Sequence, residues 1–179
     1  LHLWGKCRFS NNLHSMSESN SFQFRYNRLR GKEELAPNER ELVDRAVAAL
    51  SSSYSPYSHF RVGAAVLLEN GEIITGSNQE NGAYPSGLCA ERVALFYAGA
   101  RYPGIPVVSM AVVASSGDGL TENPVTPCGA CRQVMSEYRV VSGKPFAILM
   151  VGSNEIVRVE DVEQLLPFSF SLSNGMKRK

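Results

Sequence analysis

Three cysteines and one glutamate are spaced as the ligands and the proton carrier of a metal site would be. Cys89 and Glu91 stand two residues apart, and Cys128 and Cys131 stand three apart further along the chain. Three thiolates are one ligand short of the closed tetrahedron of a structural zinc site, and a zinc ion held by three protein ligands keeps its fourth position for water. A carboxylate beside that water is suited to carry protons. The spacing therefore predicts a metal-activated hydrolytic site.

These residues can meet only if two helices begin at the site. Cys128 and Cys131 would share one face of a helix, whereas Cys89 and Glu91 would point to opposite sides in the middle of one. They can serve the same ion only in a first helical turn, with the backbone N–H of the small Ala90 pointing into the site. Helix N-termini also favour the thiolate over the thiol. We therefore expect two helix N-termini to converge.

Two arginines follow these residues directly. Three thiolates carry more negative charge than one zinc ion balances, which weakens its Lewis acidity unless cations lie nearby. Arg92 follows Glu91 and Arg132 follows Cys131, so both are placed to donate hydrogen bonds to the sulfurs. The alternative, a solvated helix arginine, applies more to Arg132 than to Arg92.

The four cysteines of the chain also allow other interpretations. A disulfide could join Cys128 to Cys131 or Cys89 to Cys7, but the thiols are grouped for a metal rather than scattered over loops. A structural zinc could be completed by Cys7, which is far from the other ligands in sequence. His59 is a weaker fourth ligand because it leads directly into a strand. Reduced thiols favour a cytoplasmic protein.

The composition is that of a single globular domain. The chain has 179 residues, of which 44% are hydrophobic and 20% charged, ordinary values for such a domain. A net charge of +1 argues against binding to nucleic acid or to an anionic membrane surface. The longest nearly apolar run, 105–114, is about half the length that a membrane span needs.

Hydrophobic periodicity predicts alternating helices and strands. Asn38, with Glu41 three residues later, is expected to cap the first helix, and Asn70-Gly71 is typical of a hairpin turn. The remaining elements comprise strands 62–68, 72–76, 107–114, 146–151 and 156–159, and helices 89–100, 128–138 and 162–166. This order indicates a layered α/β fold with helices on both faces of the sheet. We expect a mobile N-terminal arm over residues 1–35, an ordered domain over 36–171 and a tail over 172–179.

The residues around the cysteines resemble those of a known family. Cys-Ala-Glu at 89–91 and Pro-Cys-Gly-Ala-Cys-Arg-Gln at 127–133 are similar to the motifs of the small, homotetrameric cytidine deaminases. The resemblance extends over about residues 39–170 and includes segments 57–60, 62–65, 78–81, 84–85 and 165–167. It implies a three-layer α/β/α sandwich with a mixed sheet. It also implies hydrolytic deamination of cytidine and 2′-deoxycytidine in pyrimidine salvage.

The resemblance assigns a role to each motif position. Cys89, Cys128 and Cys131 would hold one Zn²⁺ per chain, and Glu91 would shuttle protons. The other implied residues bind substrate: Phe60 by stacking on the pyrimidine, Asn78 and Glu80 at the ribose 3′-hydroxyl, and, from a neighbouring subunit, Gly82, Ala83, Tyr84 and Phe170. The sequence departs from the family pattern in Gly82, where alanine is expected, and in Arg61, where a smaller or neutral residue is common.

Three other functions compete with this one. A deaminase of a modified cytosine nucleoside such as blasticidin S would share the zinc motifs, but the Asn78 and Glu80 pair favours ordinary nucleosides. An enzyme that edits polynucleotides would need a basic groove, which a net charge of +1 does not indicate. A zinc-stabilised binding module would leave Glu91 without a purpose.

Overall fold

A computed structural model describes residues 20–117 and 119–172. Most of the predicted N-terminal arm, including Cys7, lies outside the described residues, as does the end of the predicted tail. No helix in the described ranges is long and apolar enough to cross a membrane.

A mixed six-stranded sheet forms the middle layer of the described fold. Its strands run in the order β1-β6-β5-β4-β2-β3. The pair β4 and β5 is parallel, and the other neighbours are antiparallel. The strand bounds are β1 Asn27–Leu29, β2 Arg61–Leu68, β3 Ile73–Ser77, β4 Val107–Ser115, β5 Ala147–Val151 and β6 Ile156–Val159.

Helices cover both faces of this sheet. Helix α1 (Pro37–Ala49) lies on one face, and α2 (Ala90–Arg101) and α3 (Gly129–Ser142) lie on the other. Because successive strand side chains point to opposite faces, Ala65 of β2 packs in the cluster beneath α1, while its neighbour Val66 packs in the cluster beneath α2 and α3. The predicted three-layer α/β/α sandwich with a mixed sheet is therefore confirmed.

The first helix begins one residue earlier than its predicted cap. Pro37 occupies the first helical position and Ala36 precedes the helix. Proline suits this position because its missing N–H would have no partner there. The carboxylate of Glu39 accepts a hydrogen bond of 3.3 Å from the N–H of Ala36. The predicted pairing of Asn38 with Glu41 was therefore wrong by two residues.

Ordered structure also begins before the predicted boundary at Ala36. Strand β1 pairs with β6, with Asn27 opposite Arg158 and Leu29 opposite Ile156. Leu35 is only 4% exposed and belongs to the cluster beneath α1. A three-residue strand is too short to produce a recognisable alternation, which is why the sequence did not reveal it.

Candidate active site

The N-termini of α2 and α3 meet, as the cysteine spacing required. Cys89 is the residue before α2, Cys128 is the residue before α3, and Cys131 lies in the first turn of α3. The Sγ atoms of Cys89 and Cys128 are 3.8 Å apart, and those of Cys128 and Cys131 are 3.5 Å apart. All three sulfurs lie within 4.8 Å of one another.

These separations fit one zinc ion. Zinc–thiolate bonds of about 2.3 Å in a tetrahedron place the sulfurs about 3.8 Å apart. Cys131 is buried, Cys89 is half-buried and Cys128 is exposed, so the cluster is closed on one side and open on the other. The donor set is the soft one that zinc accepts. His59, the weaker alternative ligand, is not a member of the metal-binding group that the described residues form.

The pKa values of two of the three thiols, Cys89 and Cys131, are shifted in opposite directions. The pKa of Cys89 is lowered to about 5, mainly because Cys131 donates a hydrogen bond to its thiolate, and Arg92 adds to this. The pKa of Cys131 is raised because its proton is held in the same bond and because the thiol is buried. Zinc replaces such protons when it binds. Cys89 is therefore available as a thiolate, and a bound zinc ion would displace the proton that Cys131 holds.

The two arginines differ in what they contact. Nη2 of Arg92 lies 3.8 Å from Sγ of Cys89, as expected for a donor to the sulfur. The buried Nε of Arg92 has no hydrogen-bond partner among the described residues. Arg132 instead donates to two backbone carbonyls, those of Pro127 at 2.7 Å and Leu165 at 3.0 Å. The expectation that Arg132 contacts a sulfur was therefore wrong: its contacts bind two segments of chain together.

Glu91 lies in the first turn of α2, beside the sulfurs. It is 4% exposed, and burial raises the pKa of its carboxyl group. A carboxyl group with a raised pKa exchanges protons more readily near neutral pH than an ordinary one does. Glu91 also lines the same cavity as Cys89 and Cys128, so it can reach a ligand that the cavity holds.

A close contact with β3 fixes where α2 begins. A Cβ atom added to Gly76 would lie 2.5 Å from the backbone nitrogen of Ala94 and 2.7 Å from the carbonyl oxygen of Ala90. Only glycine allows the strand to approach the helix this closely. Because Cys89 and Glu91 flank Ala90, this contact sets their distance from the sheet.

A cavity of about 400 Å³ opens in front of the sulfurs. Its size suits a small organic molecule. One part of its wall is apolar, formed by Phe60, Val62, Leu88, Val112 and Val125. Another part is polar and includes Asn78, Gln79, Glu80, Asn81 and Thr126. A flat apolar ring can therefore be bound beside the metal cluster, with polar groups around the rest of the molecule.

Asn78 and Glu80 are held rigidly at the edge of this cavity. The side-chain oxygen of Asn78 accepts bonds from Ser53 at 2.6 Å and from the N–H of Val62 at 2.8 Å, and its amide nitrogen donates to the carbonyl of Phe60 at 2.9 Å. Glu80 accepts from the hydroxyl of Ser58 and from the backbone N–H groups of residues 57 and 58. These bonds, that of Ser58 first, lower the pKa of Glu80. Glu80 is therefore a fixed carboxylate.

The backbone before Phe60 turns sharply. His59 has φ of 56°, in the left-handed region where histidine occurs more often than most residues. Its N–H donates to the carbonyl of Ser55 at 3.0 Å. This turn places Phe60 in the cavity wall, so His59 has a structural role.

The structure brings together most of the sequence-predicted site residues. Cys89, Glu91, Cys128, Phe60, Asn78, Glu80, Tyr84 and Arg92 all line the cavity, with Cys131 buried behind them. Ala90, Gly82, Ala83 and Phe170 do not belong to its lining. Thr126 and the apolar wall apart from Phe60 were not predicted from the sequence. Thr126 could have been found, since it stands two residues before a metal ligand.

Comparisons with known proteins agree with this geometry. A family model described as the cytidine and deoxycytidylate deaminase zinc-binding region matches residues 37–144, which include the three cysteines and Glu91. A cytidine deaminase of Halalkalibacterium halodurans is 42% identical over 133 residues, which are 73% of this chain and 92% of the relative. A probable cytidine deaminase of Dictyostelium discoideum is 38% identical over 137 residues, 75% of this chain and 86% of the relative.

Solved structures show the same architecture. The crystal structure of a cytidine deaminase from Burkholderia pseudomallei superposes with a TM-score of 0.62 and 39% identity, over 73% of this chain and 97% of that one. A cytidine deaminase from Mycobacterium tuberculosis gives a TM-score of 0.58 with 31% identity, over 75% of this chain and 98% of that one.

Proposed function

The chain belongs to the cytidine and deoxycytidylate deaminase family, and on that premise we propose that it hydrolyses cytidine and 2′-deoxycytidine to uridine and 2′-deoxyuridine. The net reaction consumes one water molecule and releases one ammonia. The observation that carries the proposal is the position of Glu91, buried beside three sulfurs at a cavity of nucleoside size. Neither a structural zinc site nor a binding module needs that carboxylate.

The chemistry divides between the metal and Glu91. Zinc held by Cys89, Cys128 and Cys131 would lower the pKa of a water molecule in its fourth position and so supply the nucleophile at neutral pH. Glu91 carries a proton to N3 of the cytosine ring, which makes C4 more electrophilic. The oxygen of that water bonds to C4, and Glu91 carries the second proton of the water to the amino group, so that the C4–N bond breaks and ammonia leaves. Arg92 balances the charge of the thiolates through its contact with Cys89.

The hydrogen bonds at Asn78 and Glu80 support a sugar hydroxyl as their ligand. The side-chain oxygen of Asn78 already accepts two bonds, and its amide nitrogen uses one of two donors. One N–H therefore remains to donate. Glu80 has already accepted bonds from Ser58 and from two backbone N–H groups, and Oε1 keeps a lone pair. A hydroxyl that accepts from Asn78 and donates to Glu80 satisfies both, as the ribose 3′-hydroxyl would.

The base would lie against Phe60. The ring of Phe60 belongs to the apolar wall of the cavity that Asn78 and Glu80 also line. Stacking of a base on an aromatic ring is worth about 1–3 kcal/mol. The backbone N–H of Ala90, at the start of α2, is available to a polar atom near the metal.

We propose a homotetramer in which neighbouring subunits complete each pocket. Phe168 is fully exposed and Phe170 is 69% exposed, and neither lines the cavity of its own chain. Large exposed rings near the end of a domain are typical of interfaces. Phe170 would reach the base of a neighbouring pocket, and Gly82, Ala83 and Tyr84 would lie near its 5′-hydroxyl. Tyr84 also lines the cavity of its own chain.

We also propose the domain bounds, the compartment and the partners of the protein. The catalytic domain would extend over residues 36–171, with strand β1 of the preceding arm added to its sheet. Metal-binding thiols that must stay reduced favour the cytoplasm. A nearly neutral chain favours a free nucleoside over nucleic acid or a membrane as its partner. The product would enter pyrimidine salvage.

A substrate panel tests the proposal. Purified protein with its zinc is incubated separately with cytidine, 2′-deoxycytidine, free cytosine, blasticidin S and a cytosine-bearing oligonucleotide, and ammonia release is measured. We expect turnover of the two ordinary nucleosides and little of the rest. Zinc-loaded Glu91→Gln protein is the matched control. Absence of ammonia release from cytidine by the zinc-loaded wild type would refute the proposed function.

A further inference from the structure

Gln133 belongs to the cysteine motif, yet its contact lies elsewhere. It follows Cys131 by two residues in the first part of α3. Its Nε2 donates a hydrogen bond of 2.8 Å to the carbonyl oxygen of Phe170, 37 residues further along the chain. The preceding residue, Arg132, donates to the carbonyl of Leu165. Two consecutive residues of the metal-binding helix therefore hold the two ends of segment 165–170.

The segment between these two anchors contains an unfavourable backbone conformation. Phe168 has φ of 57°, in the left-handed region, where a bulky residue is an outlier. Such conformations persist when surrounding contacts enforce them. The ring of Phe168 is fully exposed, so its packing does not enforce the turn. The hydrogen bonds on either side, to Leu165 and to Phe170, are contacts that can enforce it.

The same bond determines how Phe170 is presented. Its ring is 69% exposed, so its own subunit holds this residue more through the carbonyl group than through the side chain. A backbone hydrogen bond leaves the ring free to contact another molecule while it restricts the path of the chain. Without the bond, the ring could sample many positions, and ordering it on binding would cost free energy.

We propose that Gln133 is a positioning residue for the pocket of a neighbouring subunit. It fixes the backbone at Phe170 so that the ring contacts the base bound in that neighbouring pocket. This rests on the proposed function, specifically on the shared pocket. The proposal separates two roles of one short motif. Cys128 and Cys131 act in the pocket of their own chain, and Gln133 acts in the pocket of another.

The first experiment removes only the donor. Gln133→Glu keeps the shape of the side chain but replaces the amide by an acceptor, so it cannot donate to the carbonyl of Phe170. KM for cytidine should rise about fivefold, the equivalent of roughly 1 kcal/mol for one hydrogen bond. The zinc content and kcat should stay as in the wild type. Gln133→Lys keeps a donor and should keep KM within about twofold.

A neighbouring position provides the matched control. Glu137 lies one turn further along α3 and is exposed. Glu137→Gln should leave KM unchanged. An unchanged KM in Gln133→Glu, or a loss of zinc in that variant, would overturn the proposal. Should Gln133→Glu fail to fold, Gln133→Ala carries the same expectations, because it also lacks the donor.

The decisive experiment uses mixed tetramers. Gln133→Glu and Glu91→Gln chains with different tags are co-expressed, and assemblies that carry both tags are purified. An active pocket in such an assembly needs Glu91 from a Gln133→Glu chain. It can receive Phe170 from a Glu91→Gln chain, in which Gln133 is intact. A fraction of the activity should therefore regain the wild-type KM. A KM that stays raised in every mixed assembly would place the effect of Gln133 within its own pocket and overturn the proposal.

Phe170→Ala separates failure of this inference from failure of the shared pocket. It should raise KM and be rescued in the same way in mixed assemblies. If Phe170→Ala is rescued in mixed assemblies but Gln133→Glu leaves KM unchanged, only the role of Gln133 is contradicted and the shared pocket is not. An unchanged KM in Phe170→Ala would contradict the shared pocket itself. Deamination by the wild type tests the reaction separately from both.

Discussion

The sulfur atoms of Cys89 and Cys128 lie 3.8 Å apart although 39 positions separate the two residues in sequence. Each cysteine is the residue immediately before a helix, and both helices pack on the same face of the sheet. Two helix N-termini bring their partial positive charges to one place, which stabilises thiolates that would otherwise repel one another. The fold thus produces the metal site from the starts of two helices.

We predict one zinc per chain, held by three sulfurs. Cys89→Ser, Cys128→Ser and Cys131→Ser should each lose most of the zinc and all measurable activity, because three ligands are the minimum for such a site. Metal analysis of the purified proteins measures this directly. Cys7→Ala is the matched control and should keep both zinc and activity. Zinc loss in Cys7→Ala would instead support the structural zinc site with four sulfurs.

Glu91→Gln should separate metal binding from turnover. Glutamine keeps the size of the side chain but cannot carry protons, and general acid–base catalysis is worth typically ~10²–10⁴-fold. Since Glu91 handles more than one proton, we expect the loss of kcat at or beyond the upper end of that range. Zinc content and the circular dichroism spectrum should be unchanged. Turnover within tenfold of the wild type would exclude the role of Glu91 as proton carrier.

The cysteine spacing was sufficient to predict the metal cluster and the convergence of the helix N-termini. Residues two apart on a helix can serve one metal ion only in its first turn, so few arrangements of the two helices could satisfy the cysteine spacing. The strands were also placed to within a residue or two, because β-branched apolar runs between turn residues have few other interpretations. Strand β1 was missed, since pairing with β6 rather than its own composition makes it a strand.

The sugar contacts should control specificity. Asn78→Ala and Glu80→Ala should each lower kcat/KM for cytidine, because the cavity then loses a donor or an acceptor for the hydroxyl. Free cytosine should be a poor substrate for the wild type, since the remaining N–H of Asn78 and the remaining lone pair of Glu80 would gain no partner from it. Steady-state kinetics on cytidine and cytosine provide the measurement. Equal efficiency on the two compounds would contradict the assignment.

Asn78 has a structural role as well as a role in binding, and melting temperatures measured beside the kinetics can separate the two. The side chain also holds the backbone at Phe60 and Val62, so Asn78→Ala should lower stability as well as activity. Glu80→Gln removes the charge but keeps the shape, so it should lower kcat/KM while it lowers the melting temperature less than Asn78→Ala does. A similar melting temperature for both variants would show that the bonds of Asn78 contribute little to the fold.

The contacts that sequence analysis missed are those between distant segments. Gln133 was part of a recognised motif, but nothing in its neighbours indicates that it reaches the carbonyl of Phe170. Arg132 was expected at the sulfurs, and it binds the carbonyls of Pro127 and Leu165 instead. The path of segment 165–170 places the carbonyls of Leu165 and Phe170 within reach of Arg132 and Gln133, and no local pattern encodes that path.

Gly76 provides the last prediction, which concerns the support of the site. Strand β3 approaches α2 so closely that a Cβ atom on Gly76 would lie 2.5 Å from the nitrogen of Ala94 and 2.7 Å from the carbonyl oxygen of Ala90. Both are backbone atoms, so the contact cannot be relieved by a change of rotamer. Overpacking of this kind typically costs about 1–3 kcal/mol. Gly76→Ala should therefore lower stability and also move the start of α2, with Cys89 and Glu91.

The measurement compares Gly76→Ala with Gly119→Ala at one protein concentration, because the stability of an oligomer depends on concentration. A Cβ atom on Gly119 would have no heavy atom within 4 Å among the described residues other than its chain neighbours, so this control should match the wild type in denaturation midpoint, zinc content and kcat. Gly76→Ala should denature at a lower denaturant concentration and bind zinc more weakly. A loss of stability with normal zinc affinity would mean that the sheet shifts and the helix does not. Wild-type values in all three measurements would show that the close contact does not position the site.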